Sequence, residues 1–346
     1  MLSAALMQAD RRLALLMAIC VYASLAASLA PQAYATVLLH YAYQTLVLPF
    51  GLVVGLGIGG MLVSPAAPAS WGWQVVRRNG MRLLAVTLAF CIGFSAFTTF
   101  KLQIPRFVPF YADPLFADAD AWLHGGDPGL ILHRIVPHWL QLPIFHLYGP
   151  VWLTQWMGAM VFVALHDDAA LRRRYFWSMA ISFCALGTML ATLLSSVGPV
   201  FYSSFYESDR FAALALEIRS SAFGGYMEMV TDYLLSTYQE GSSRLGTGIS
   251  AMPSMHLAVV TLNALMISSL SRRLGIFAWA YVAIILLGSV YLGWHYAVDG
   301  YVSIAAVGAI WWSVGRFRTA YLTRMLDSRA ASEKESSASA SGLRPS

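Results

Sequence analysis

The chain has 346 residues, of which 58% are hydrophobic and only 11% charged, with a mean hydropathy of +0.62; this balance excludes an ordinary soluble domain and indicates an integral membrane protein. Its formal charge of +5 is gathered in short basic clusters between apolar runs, not along a stripe, so a nucleic-acid surface is excluded as well. Cys20, Cys91 and Cys184 each sit inside an apolar run, which speaks against a disulfide framework or a zinc site.

Arg11 and Arg12 open the chain's first apolar run, and "AYA" at 33–35 has the form of a signal-peptide cleavage site. The run is long enough to span, so it is read as an uncleaved anchor. Runs able to cross a bilayer fall at 13–30, 43–63, 83–100, 143–165, 175–197, 252–270, 275–292 and 297–314, and an all-α polytopic bundle of about eight spans is expected. The expected organisation is an N-terminal transmembrane hairpin over 1–82, a main transmembrane domain over 83–318, and a tail over 319–346, small, polar and disordered.

Basic clusters recur at every second connection: Arg11/Arg12, Arg77/Arg78/Arg82, Arg172/Arg173/Arg174, Arg272/Arg273 and Arg316/Arg318/Arg324. The positive-inside rule therefore places these loops and both termini in the cytoplasm. Segments 101–142 and 198–251 and the turn near Gly293 then face outward. In the first of them His124, His133, Asp113, Asp118 and Asp127 are read as interfacial polar groups.

Two short stretches on that outer side carry chemistry. In "GISAMPSMHLA", Pro253 is expected in the first turn of the sixth span. The free N–H groups of Ser254, Met255 and His256 would then form a cradle for phosphate oxygens, with the Ser254 hydroxyl as a further donor. In "GWHYAVDGY", His295 and Asp299 are four residues apart, so on the first turn of the last span they share a face. A carboxylate on one imidazole nitrogen fixes the tautomer and makes the other nitrogen a better nucleophile. Two imidazoles, a carboxylate and a helix N-terminus suit phosphoryl transfer. The same groups also match a facial triad for non-haem iron, or a proton relay in a transporter, and both alternatives stay open on composition alone.

With "PSMH" and "SVYLGWHYAVD" the chain resembles the type 2 phosphatidic acid phosphatase superfamily, whose signatures are written P-S-G-H and S-R-x5-H-x3-D. "HYAVD" and "SSVGPVFY" are more similar to its inositol phosphorylceramide synthase and sphingomyelin synthase branch. The sequence departs from the signatures at Met255, where Gly is usual, and at Ser289, which stands in the arginine slot; K-x6-R-P is absent as written, although Lys101 to Pro105 is similar to the corresponding loop of the synthase-like branch. The resemblance makes 83–318 a phosphatase-like catalytic domain.

What the resemblance implies is a lipid phosphotransferase or phosphatase with His295 as nucleophile, Asp299 orienting it and His256 as general acid. Phosphate would be held by Ser254, the Met255 amide and Arg244, with Gly198, Pro199, Tyr202, Lys101 and Arg106 as further substrate contacts. No metal or cofactor is called for. The substrate would be a lipid phosphate or phosphodiester, the acceptor a lipid alcohol or water, and the setting a bacterial inner membrane with the site facing the periplasm. Head-group transfer of the inositolphosphotransferase kind is preferred over monoester hydrolysis because few cations are near the motifs.

Overall fold

A computed structural model describes residues 2–45, 48–244 and 246–316. The expected tail over 319–346 lies outside these residues, as do Arg318 and Arg324. All regular structure among the described residues is helical. In chain order α1 spans Leu2–Leu29, α2 Pro31–Thr45, α3 Leu48–Val63, α4 Pro68–Phe107, α5 Asp113–His124, α6 Pro128–Ile135 and α7 Gln141–His146. A π-helical turn, Leu147–Val151, runs into α8, Trp152–Leu165. Helix α9, Ala169–Ile181, continues through a π-helical stretch, Ser182–Leu190, into α10, Ala191–Leu193. Then come α11 Tyr202–Phe205, α12 Ala212–Ser220, α13 Gly224–Glu240, α14 Met255–Leu270, α15 Arg272–Tyr291 and α16 Ala297–Arg316.

Among the described residues, four helices are long and apolar enough to cross a membrane: Pro68–Phe107, Ala169–Leu193, Arg272–Tyr291 and Ala297–Arg316. Leu13–Leu29, Val53–Val63 and Met255–Leu270 are apolar but shorter. Of the run expected as one span at 43–63, the described residues lie in α2 up to Thr45 and in α3 from Leu48. The largest departure is α4, whose 40 residues reach about 60 Å. Arg77, Arg78 and Arg82 lie inside it, not in a loop, and the domain boundary expected at 82/83 falls within it. Arginine propagates a helix nearly as well as leucine, so a basic cluster does not interrupt one. The helix stops at Val108, which is extended, as expected of a residue preceding a proline.

Helix α14 is the centre of the bundle and is apolar all round, the pattern of a helix buried on every side. Leu257, Val260 and Ala264 pack into a core with Tyr148, Ile285 and Tyr296. Ala258, Val259, Leu262 and Met266 pack into a second core with Trp156, Tyr175 and Trp311. Basic side chains gather at one end of the bundle: Arg78 pairs with Asp167 at 3.2 Å, and Arg174 donates to the Trp311 carbonyl at 3.0 and 3.1 Å. Trp311 lies twelve residues along α16 from Asp299, about 18 Å, so the arginines and the His295–Asp299 pair occupy opposite ends.

Candidate active site

Ser254 caps α14 and its hydroxyl accepts from the Leu257 N–H at 3.5 Å. Pro253 thus lies before the cap, not in the first helical turn, and the first helical residues are Met255 and His256. The Ser254 N–H donates to the Asp299 carbonyl at 3.4 Å. This one bond ties the start of α14 to the first turn of α16 and brings two motifs about forty positions apart to one place.

His295 precedes α16, in the turn that leaves α15, yet its Nδ1 still meets Asp299 Oδ2 at 3.3 Å. The carboxylate can only accept, so Nδ1 carries the proton and Nε2 is left with its lone pair. Asp299 Oδ2 also accepts from the Tyr296 N–H at 3.0 Å. The carbonyl of Ser289 holds the same turn by accepting from the Trp294 and His295 N–H groups, at 3.1 and 3.3 Å. The Ser289 hydroxyl is directed at the Leu286 carbonyl.

The two imidazoles lie edge to face, with ring centroids 6.4 Å apart and planes 61° from parallel. His256 is sandwiched between Tyr148, at 4.5 Å and 14° from parallel, and Trp152, at 4.0 Å. The Trp152 indole N–H also donates to the His256 carbonyl at 3.2 Å. Lys101 and His295 are the titratable groups that act on it. Thus His256, His295, Asp299 and Ser254 come together where α14 and α16 begin, and Lys101, which the resemblance brings in, acts on His256. Met255 contributes backbone here, since its sulfur packs towards Gly187 in the π-helical stretch.

The other expected contacts are placed differently. Arg244 is paired with Glu240 at 2.9 Å with both side chains about half exposed. Arg106 is exposed and donates to Gln103 at 2.9 Å. Gly198, at φ +90°, passes so close to the turn after α15 that a Cβ there would lie 2.5 Å from the Trp294 carbonyl oxygen; the left-handed backbone and the close approach both require glycine. Around it the Ala251 N–H donates to the Ser196 carbonyl and the Val200 N–H to the Gly293 carbonyl, so "SSVGPVFY" joins the two motif loops. Pro199 lines a cleft of about 70 Å³ together with Asp120, Asp127, Arg210, His295 and Tyr296. His295 is one of its walls and His256 is not. Tyr202 is buried and stacks on Tyr206 at 4.7 Å.

Two carboxylates on α5 correct the reading of that segment as an interfacial surface. Asp113 is fully buried and accepts from the Val197 and Gly198 N–H groups and from the hydroxyls of Tyr206 and Tyr296, all at 2.8–3.0 Å. Asp120 accepts from the Ala297 and Val298 N–H groups at 2.7 and 3.0 Å, so it caps α16 from outside the helix, where the dipole favours negative charge. Burial pushes its carboxyl upward, against the two amides, which favour the charged form. Asp127 caps α6 through Gly129 and Leu130. Neither Asp113 nor Asp120 carried a local sequence signal of these roles: their partners lie more than eighty positions away. Tyr148 was legible only as an aromatic beside Gly149–Pro150 in an apolar run.

Among the described residues, no three or more His, Cys, Asp and Glu side chains converge as metal ligands. The family model described as PAP2 superfamily matches residues 114–313. No curated protein and no solved structure matches the chain.

Proposed function

Because the chain belongs to the PAP2 superfamily, whose members are phosphatases or phosphotransferases, we propose that it is a lipid phosphotransferase working through a phosphohistidine. The observation that carries this reading is the His295 Nδ1 contact with Asp299, which leaves Nε2 free opposite His256. Nε2 attacks phosphorus, the bond to the leaving oxygen breaks, and His256 gives that oxygen its proton. His256, now neutral, then takes the proton of an acceptor hydroxyl as this oxygen attacks phosphorus. The N–P bond breaks and its electron pair returns to His295 Nε2. The amides of Met255 and His256, with Ser254, stabilise the phosphoryl oxygens.

The substrate is a phosphodiester lipid and the acceptor a lipid alcohol, as in inositolphosphate transfer within the synthase-like branch. A monoester carries nearly two charges and favours several cations, whereas a diester carries one. In support, Lys101 is a cation whose charge acts on His256, while the Arg244, Arg106 and Arg210 side chains are engaged by Glu240, Gln103 and Asp118. The site opens on the outer face of a bacterial inner membrane, with both termini in the cytoplasm and about eight crossings once the three shorter apolar helices and the helical segment from Gln141 to Leu165 are included. The arginines at the opposite end of the bundle favour that orientation.

Labelled diester and monoester lipids, each with and without diacylglycerol or ceramide, test the proposal. Transfer product from the diester is expected, with an acid-labile phosphoenzyme in wild type and none in His295→Ala. Release of inorganic phosphate from the monoester regardless of acceptor, with no transfer product, makes the protein a monoester phosphatase instead. Near-native turnover in His295→Ala removes the nucleophile assignment.

A further inference from the structure

Tyr148 sits on the π-helical turn Leu147–Val151, a kind of helix irregularity found often at functional sites. Its ring is stacked on His256 and its Cβ and Cδ2 rest against Gly288, so that a Cβ on that glycine would lie 3.5 Å from Cδ2. The side chain is only 5% exposed. Its hydroxyl is buried without a hydrogen-bond partner among the described residues, and Asp299 is the charge that acts on it. Asp299 Oδ1 is likewise buried and unpartnered, while Oδ2 is occupied by His295 and Tyr296. Buried polar atoms are nearly always paired, and one left open on a ring stacked against His256, under the charge of Asp299, calls for an explanation.

We propose that the Tyr148 hydroxyl donates a hydrogen bond to a phosphoryl oxygen of the substrate held between His256 and His295, an assignment that rests on the phosphotransfer reading above. The neighbouring hydroxyl, that of Ser289, is directed to Leu286. Stacking on His256 fixes the phenol's position, so its donor is preorganised and costs no reordering when charge develops. A phenol is also neutral. It stabilises an oxygen of a singly charged diester without supplying the positive charge that would favour a dianionic monoester, and so contributes to the choice between them.

Tyr148→Phe keeps the ring on His256 and removes only the oxygen. Loss of one such donor lowers kcat by about 10²-fold, and inhibition by orthovanadate, a phosphate mimic, weakens in parallel. Because the lost oxygen is an unsatisfied buried group, the Phe variant should melt no lower than wild type in the same detergent. A structural role predicts the opposite pairing, lower melting with proportionate loss of activity. Tyr148→Leu, which removes ring and hydroxyl together, should be at least as impaired as Phe. Wild-type kcat and vanadate inhibition in Tyr148→Phe, with only Leu impaired, would reduce the residue to packing and overturn the proposal. His295→Ala is run alongside: if it stays active, the phosphotransfer reading itself fails, and if it is dead while Tyr148→Phe is native, only the Tyr148 assignment fails.

Discussion

Helices α1–α3 and the segment from Asp113 onward are both helical and apolar, yet they are held in place by different means. Of the first three helices, α1 packs on α4 through small residues, Ala23 and Ala26 against Ala96, flanked by Tyr22, Tyr34, Ile92 and Phe100, and α2 adds a hydrogen bond between the Tyr41 and Thr98 hydroxyls at 3.0 Å. Their outward positions, such as Leu39, Met61 and Leu62, are bare hydrocarbon. Beyond residue 112 the interior contains carboxylates, and Asp113, Asp120 and Asp299 are all buried. Close packing of small side chains fixes how near two helices lie but says little about rotation or register. Hydrogen bonds to a buried carboxylate fix individual backbone atoms, because a misplaced donor there has no water to fall back on. The imidazole pair stands where the second kind of restraint is densest.

The largest effect should come from removing the most heavily used of these carboxylates. Asp113→Ala strands the Val197 and Gly198 amides and the Tyr206 and Tyr296 hydroxyls. Each stranded buried donor costs about 1–3 kcal/mol, so a loss of at least about 3 kcal/mol is expected, with turnover abolished because Gly198 and Tyr296 flank the His295 turn. Thermal melting in a fixed detergent together with a transfer assay checks this. A variant that melts with wild type and turns over normally would show that the polar half does not depend on its buried carboxylates.

A smaller effect is expected from the other half. Ala26 is fully buried in the α1–α4 seam, and Ala26→Leu forces about three extra carbons into a filled space. Overpacking of this kind costs about 1–3 kcal/mol. Melting should fall by that amount while phosphoenzyme formation at His295 persists, since no hydrogen bond of the site is touched. Loss of the phosphoenzyme in a folded Ala26→Leu protein would mean that the N-terminal helices position the site after all.

The same contrast explains what the sequence made legible. Apolar runs announce helices because a bilayer demands them, and α14, α15 and α16 begin within about three residues of the expected spans. His295 and Asp299 could be paired from their spacing because their contact is local. By contrast, Arg77 and Arg78 have the look of a loop in the sequence, yet α4 runs through them because arginine is at home in a helix. Asp113 and Tyr148 could not be recognised, since what distinguishes them is contact with Tyr296 and His256, 183 and over a hundred positions away. Periodicity reports which side of a helix is apolar, not what a distant chain segment brings to it.

The smallest effect concerns a polar group at the edge of that network, His133 on α6. Its Nε2 meets the Tyr291 carbonyl at 2.8 Å and its ring stacks on Tyr291 with centroids 4.0 Å apart. The carbonyl is an acceptor, so Nε2 carries the proton in the neutral ring. Burial holds the imidazole below its ordinary pKa of 6.5, and the Tyr291 carbonyl and the charges of Glu217 and Asp127 only partly offset this. An unfolded chain therefore takes up a proton near pH 6.5, whereas the folded one does so only at lower pH. Between those two values the unfolded state binds more protons, so stability falls as pH falls; above pH 6.5 the group contributes no slope. The raised carboxyls of Asp120 and Asp127 act with the opposite sign, because the folded state there binds its proton first. Wild type is thus best compared with His133→Gln, which keeps a donor for the Tyr291 carbonyl and does not titrate. Melting temperatures measured from pH 7.5 down to pH 5 should run parallel above pH 6.5 and then diverge, with wild type losing more. Curves that stay parallel throughout would mean that His133 is as free to protonate in the fold as in water, and that the network's edge is as loosely held as the N-terminal seam.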